Sequence, residues 1–192
     1  VLLTNTIYRL RIVGQQQVPV TGGALLVPNH ISFIDGFLLI ASLDRPIRFV
    51  VDAQYVNHRL FKPFMRALQV IPISSAGGPR AILRALREAG HALDAGDLVC
   101  IFPEGQITRT GNLLPFRRGF ERIVKGRAVP VLPVHLDRVW GSLFSFVGGR
   151  FVTKWPERVP YPVTVSFGTP VPAETPAHEL RRLVRELGEA AW

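Results

Sequence analysis

The chain has 192 residues, 47% of them hydrophobic, which excludes a disordered tail and allows one domain with a substantial core. Its formal net charge of +9 favours anionic partners: acidic lipid surfaces, phosphorylated or acidic carrier substrates, or nucleic acid. The basic residues are almost all arginine (only Lys62, Lys125 and Lys154 are lysines), so an undirected surface bias explains the charge equally well.

Val1 stands where an initiator methionine would, so residues 1–192 are expected to be a single domain excised from a longer chain. No apolar stretch reaches the ~18 residues of a membrane span, and the N-terminus has no charged-then-apolar signal pattern. Contact with a bilayer is therefore expected from the surface, or through a missing part of the chain. Cys100 is the only cysteine and sits in the apolar run Leu98–Phe102, which predicts a buried, inert thiol. An internal disulfide is impossible.

Six short apolar runs read as strands: Ala24–Val27, Arg48–Val51, Val70–Ile73, Leu98–Phe102, Val129–Val134 and Val163–Phe167. Several are continuously apolar, as strands buried on both faces are. Helical patterns alternate with them. The first follows His30, where Ser32 and Asp35 have the S-x-x-D capping spacing. The second runs from about Pro79 to Leu93, with Ile82, Leu86, Ala89 and Leu93 on one face. The third runs from about Pro176 to Ala191, and places Arg181, Arg182 and Arg185 on its solvated face. The expected fold class is α/β, a mostly parallel mixed sheet flanked by helices. Between Val139 and Tyr161 lie Trp140, Phe144, Phe146, Phe151, Trp155 and Tyr161 among glycines and basic residues. Such a segment suits a membrane interface or an aromatic core under a long loop.

Four blocks carry candidate chemistry. In Asn29–Gly36, His30 follows a strand ending at Pro28 and precedes a helix, a junction where α/β proteins bind ligands. Histidine can accept a proton near neutral pH, and Asp35 in the first helical turn can orient the ring. The bland alternative makes Asp35 a helix cap and His30 a loop residue. In Phe102–Gly105, a strand delivers Glu104 either to bind substrate hydroxyls or to hold the loop in shape, and Gly105 lets the backbone turn or approach a ligand. In Leu113–Gly119, Arg117 and Arg118 form either a phosphate clamp or a surface patch. The fourth block, Val129–Val134, reads as a buried strand whose only chemical part is to shape an acyl pocket.

In this order the blocks resemble the signatures of the phospholipid and glycerolipid acyltransferase family: N-H-x-S-x-x-D at Asn29–Asp35, F-P-E-G at Phe102–Gly105, an F-K-x-G-like block at Phe116–Gly119, and V-P-V-x-P-V at Val129–Val134. The run Phe102–Gly111 is similar to acyltransferase domains fused to acyl-carrier-protein synthetases in bacteria, and so to 2-acylglycerophosphoethanolamine acyltransferase. The resemblance implies transfer of a fatty acyl group from acyl-carrier protein or acyl-CoA to a lysophospholipid hydroxyl, with no cofactor and no metal. It implies His30 as general base, Asp35 as its orienter, Glu104 and Gly105 shaping the acceptor site, and Arg117 with Arg109 on the phosphate. It also implies work at a membrane surface, on the cytoplasmic face of a bacterial inner membrane, peripheral or anchored by a missing segment.

Two departures matter. Gln106 and Ile107 follow F-P-E-G where many members have Thr-Arg, so Arg109 is expected to take over that arginine's work. Members that bind a phosphate monoester carry an arginine just after the strand matching Val70–Ile73; here Ser74 and Ser75 follow, and the next arginine is Arg80. A head group larger than a bare phosphate is expected on that ground, with 1-acylglycerol-3-phosphate as the alternative acceptor. A non-catalytic lipid or membrane-surface module is the other alternative. There is no G-x-S-x-G elbow for a serine hydrolase, no nucleotide-binding glycine loop, and no nucleic-acid-binding motif, so nucleic acid is not expected as a partner.

Overall fold

A computed structural model of the chain describes residues 7–56, 59, 62–74, 76–142, 144–146 and 160–190. The strands are β1 (Tyr8–Val13), β2 (Ala24–Pro28), β3 (Ile47–Asp52), β4 (Ile71–Ile73), β5 (Leu98–Cys100), β6 (Val131–Asp137) and β7 (Tyr161–Phe167). The α-helices are α1 (Asp35–Ser42), α2 (Ala53–Val56), α3 (Lys62–Ala67), α4 (Gly78–Asp94), α5 (Gly119–Val124) and α6 (Ala177–Glu189). All six expected strands and all three expected helices form. The strand β1, not expected from the sequence, lies at one edge. Its Tyr8-Arg9-Leu10-Arg11 alternation gives one side apolar contacts and the other arginines that discourage edge-to-edge pairing.

The seven strands lie in the order β1-β7-β6-β2-β5-β3-β4. β2, β3, β4, β5 and β6 run in one direction, whereas β7 is antiparallel to β6 and β1 follows β7. The sheet is thus mixed and mostly parallel. Its central strand, β2, is buried at every position. Successive side chains point to opposite faces. Ala24 and Leu26 join a core with Leu38, Leu39 and Val165, and Leu25 and Val27 join a second core with Leu86, Leu93, Phe120 and Leu180. Burial of one such leucine stabilises the fold by roughly 1.5–3 kcal/mol. Double-sided burial is why these strands read as unbroken apolar runs.

Parallel strands share one carboxyl-terminal edge, so the loops after β2, β3, β4, β5 and β6 all open there. The entry to β2 is equally constrained. A Cβ on Gly23 would sit 2.1 Å from the backbone oxygen of Leu93 at the end of α4. Gly23→Ala is expected to cost at least about 1–3 kcal/mol through overpacking against main chain that cannot rotate away. Chemical denaturation measures it; an unchanged midpoint would contradict the packing.

Candidate active site

β2 ends at Pro28, and the next residue locks the site to the neighbouring strand. Asn29 Nδ2 donates to the carbonyl of Leu136 (3.1 Å) while its Oδ1 accepts the Leu136 amide (2.7 Å). The side chain thereby extends the β2–β6 pairing by one position. His30 follows and is held from four directions. Its amide donates to Glu104 Oε1 at 2.7 Å, and its carbonyl accepts the Thr108 amide at 2.9 Å. Its ring lies 4.0 Å from the Phe102 ring, nearly parallel. Its Nδ1 lies 2.9 Å from Asp35 Oδ2.

Asp35 Oδ2 also accepts the amides of Ile31 (2.7 Å) and Ser32 (2.9 Å). Asp35 is fully buried, and the His30 side chain retains 20% exposure. A carboxylate only accepts, so the bond requires the proton on Nδ1 and leaves the Nε2 lone pair free. The Ser32–Asp35 spacing closes the loop before the helix and does not cap it, since the N-cap is Ile34. The carboxylate takes the Ser32 amide, but the Ser32 hydroxyl donates to the carbonyl of Phe144 at 2.8 Å. Of the two readings open for Asp35, capping and ring orientation, the bonds fit the second: the helix N-cap is Ile34, with no side-chain cap bond.

Glu104 is 3% exposed and ties two loops together: Oε1 takes the His30 amide, and Oε2 takes the Leu114 amide at 2.8 Å. Of its two expected roles, holding the loop in shape is the one with bonds. Burial pushes its carboxyl above the ordinary value of 4.5, opposed by the Leu114 and His30 amides. Gly105 turns at φ +69°, and a Cβ there would lie 2.9 Å from Nε of Arg117, so this arginine lies across the turn. The Leu113–Leu114 loop has a second anchor in Arg181. Its Nε donates to the Leu114 carbonyl (2.9 Å) and its Nη2 to that of Leu113 (2.7 Å). This corrects the expectation that Arg181 is merely solvated, because the carbonyls it meets lie far away in sequence. Arg182 and Arg185 do lie on the exposed face, paired with Glu186 and Glu189.

His30 and Glu104 line a cavity of about 260 Å³ with Thr108, Asn112, Arg138 and Trp140 among its other walls. Thr108, Asn112 and Arg138 were not singled out from the sequence; only their closeness to the quoted blocks hinted at them. Arg138 adopts φ +61°, a rare backbone conformation for a side chain of this size. Arg109, Arg117 and Arg80 do not line the cavity. Arg109 and Arg117 are exposed beside it, Arg109 with its guanidinium 5.9 Å from the ring centre of Phe146. Arg80 is exposed in the first turn of α4, after β4, which lies three strand positions from β2 (roughly 14 Å).

Cys100 is buried, and burial pushes its thiol well above the ordinary value, as expected of an inert thiol. Trp140, Phe144 and Tyr161 pack against the core, Tyr161 donating to the Trp140 carbonyl at 3.1 Å. Phe151 and Trp155 lie outside the described residues, as do Ser75 and Ala191. Among the described residues, no helix is long and apolar enough to cross a membrane, and no group of three or more His, Cys, Asp or Glu side chains is arranged to hold a metal ion.

A mostly parallel sheet covered on both faces, with a carboxylate-bound imidazole at the end of its central strand, defines an α/β protein whose site lies at the strand ends. Residues 9–137 match the model of the family described as Acyltransferase, and the chain belongs to that family. The 1-acyl-sn-glycerol-3-phosphate acyltransferase of Cocos nucifera is 26% identical over 149 residues, 77% of this chain and 46% of that protein. The probable 1-acyl-sn-glycerol-3-phosphate acyltransferase of Mycoplasma pneumoniae is 25% identical over 166 residues, 83% of this chain and 60% of that protein. The crystal structure of the 1-acyl-sn-glycerophosphate acyltransferase PlsC from Thermotoga maritima superposes with a TM-score of 0.74 at 25% identity, covering 98% of this chain and 72% of that one. The chain spans about half the length of the first curated relatives it matches.

The Glu104 clamp has a pH signature. A carboxyl raised by folding contributes stability that is full below its unfolded value and is lost as pH rises through the folded value. The stability of the native protein relative to Glu104→Gln is therefore expected to fall as pH rises from 4.5 towards neutrality. Paired urea titrations across that window measure it. A constant difference would show that burial does not control this group.

Proposed function

We propose that this domain transfers a fatty acyl group from a thioester, on acyl-carrier protein or CoA, to a hydroxyl of a lysophospholipid, with His30 as general base. The observation that carries the reading is the 2.9 Å contact between His30 Nδ1 and Asp35, which leaves Nε2 with a lone pair on a residue that lines the cavity. In the reaction, Nε2 takes the proton of the acceptor hydroxyl as its oxygen attacks the thioester carbonyl. The tetrahedral oxyanion collapses, the C–S bond breaks, and the departing sulfur takes the proton back from the imidazolium. Asp35 stabilises the charged ring between these events. Glu104 and Gly105 keep the walls of the acceptor site in place, and Arg117 and Arg109 supply cations for the phosphate, with Arg80 as a further candidate. Substrates are co-substrates only, and no step calls for a metal or a bound cofactor.

The run Phe102–Gly111 and the serine after β4 support a lysophospholipid with a head group larger than phosphate, such as phosphoethanolamine. The names of the relatives support a second reading, lysophosphatidate as acceptor. Assaying both acceptors with acyl-CoA and with acyl-carrier protein separates them. A hydrolase would release free fatty acid instead, and a lipid-binding module would bind liposomes without turnover from any donor.

His30→Ala is expected to abolish transfer, and Asp35→Asn to lower kcat by about 10²–10⁴-fold while the fold persists. Steady-state rates with circular dichroism as the folding control measure both; His30→Ala turning over at the normal rate would refute the assignment.

A further inference from the structure

Among the described residues, three buried side-chain atoms have no hydrogen-bond partner: the hydroxyls of Tyr8 and Ser142 and Oδ1 of Asp35. Their residues are closed to solvent, at 1%, 0% and 0% exposure. Buried polar atoms without a partner are rare and costly, so three of them call for a common cause.

The fold gathers them from distant parts of the chain. Tyr8 opens β1, and α1, which begins at Asp35, packs against β1 and β7. The Tyr8 ring meets that of Tyr161 edge-on, with centroids 6.4 Å apart. Tyr161 in turn holds the Trp140 carbonyl, two residues before Ser142. The Ser142 turn closes on the Val139 carbonyl (3.1 Å) and is pinned to the loop after His30: Ser145 pairs with Ser32, and the Ser32 hydroxyl holds the Phe144 carbonyl. Burial raises the Tyr8 hydroxyl above its ordinary value of 10.0, the Ser142 hydroxyl lowers it, and the Asp35 charge raises it again, so both neighbours act on it.

Asp35 shows why a donor belongs at Oδ1. Its other oxygen, Oδ2, takes the His30 ring and two amides, whereas Oδ1 takes none from the described residues. A carboxylate free to turn about its terminal bond would spread three donors over two oxygens. A donor at Oδ1 holds the group in the orientation that reserves Oδ2 for the ring. The hydroxyls of Tyr8 and Ser142 are the unused donors of this neighbourhood, and neither bonds Oδ1 directly. A water molecule joins the three, with the usual number of bonds for a buried water.

We propose that Tyr8, Ser142 and Asp35 Oδ1 share one buried water molecule, and that Tyr8 and Ser142 are thereby positioning residues for the carboxylate that orients His30. The water accepts from both hydroxyls and donates to Oδ1. The water site stands on these atoms alone; its part in turnover rests on the acyl-transfer reading.

A high-resolution crystal structure of the native protein reads the site directly. One water within hydrogen-bond distance of all three atoms is expected; Oδ1 turned to another donor, with no water beside it, overturns the proposal. In ¹H NMR, the proton on Nδ1 of His30 is expected to move upfield in Tyr8→Phe/Ser142→Ala, as the carboxylate turns from the ring. An unmoved resonance overturns the positioning role. Rates are taken with acyl-CoA and acyl-carrier protein as donors and with lysophosphatidylethanolamine and lysophosphatidate as acceptors. The double variant, its fold checked by circular dichroism, is expected to lose about tenfold in kcat at native KM, the worth of one hydrogen bond to a charged group. Placed on Asp35→Asn, the same two substitutions are expected to change kcat by less than about twofold, because they act through that carboxylate. A tenfold loss that persists there marks a merely structural role and sinks the idea. Native protein that holds the water and shows the proton shift, yet never turns over, supports the water site and removes the acyl-transfer reading alone.

Discussion

A single carboxylate oxygen organises the site. Asp35 Oδ2 gathers the His30 ring and the amides of Ile31 and Ser32, all within 2.9 Å. Hydrogen bonds to a charged acceptor contribute roughly 1.5–3 kcal/mol each, and an isolated buried carboxylate costs several. The three donors offset that cost and, in doing so, fold the motif loop around the imidazole. Asp35 Oδ1 is buried without a hydrogen bond from any described residue. A group this costly to bury contributes more to placing a proton on Nδ1 than to stability.

The remainder of the site keeps that loop still. Glu104 and Thr108 hold the backbone of His30 on either side, Asn29 fixes it to β6, and Phe102 covers the ring. Arg181 on α6 and Glu104 together anchor the Leu113–Leu114 loop that faces the cavity. The chain therefore positions one imidazole through contacts drawn from β2, β5, β6 and α6. In the proposed reaction, the cations that meet the substrates are the exposed Arg109 and Arg117.

What could be read from the sequence follows from how local each cause is. Strands buried on both faces appear as apolar runs, so β2 through β7 were legible, as were the apolar stripes of α4 and α6. His30 and Asp35 are five residues apart on one turn, and their pairing needs only local folding. The partnership of His30 with Glu104 spans 74 positions and has no periodicity to reveal it. Arg181 looked solvated because its partners are backbone carbonyls 67 and 68 residues away. β1 escaped notice because an edge strand alternates charged and apolar residues, and α2, α3 and α5 are too short to show a stripe.

The tautomer of one ring is the most direct thing to measure. In ¹⁵N NMR of the protein with labelled histidine, at a pH where the ring is neutral, the account requires Nδ1 of residue 30 to carry the proton and Nε2 to show the shift of a bare ring nitrogen. A proton found on Nε2 instead would leave no base facing the acceptor, and would contradict the account at its root.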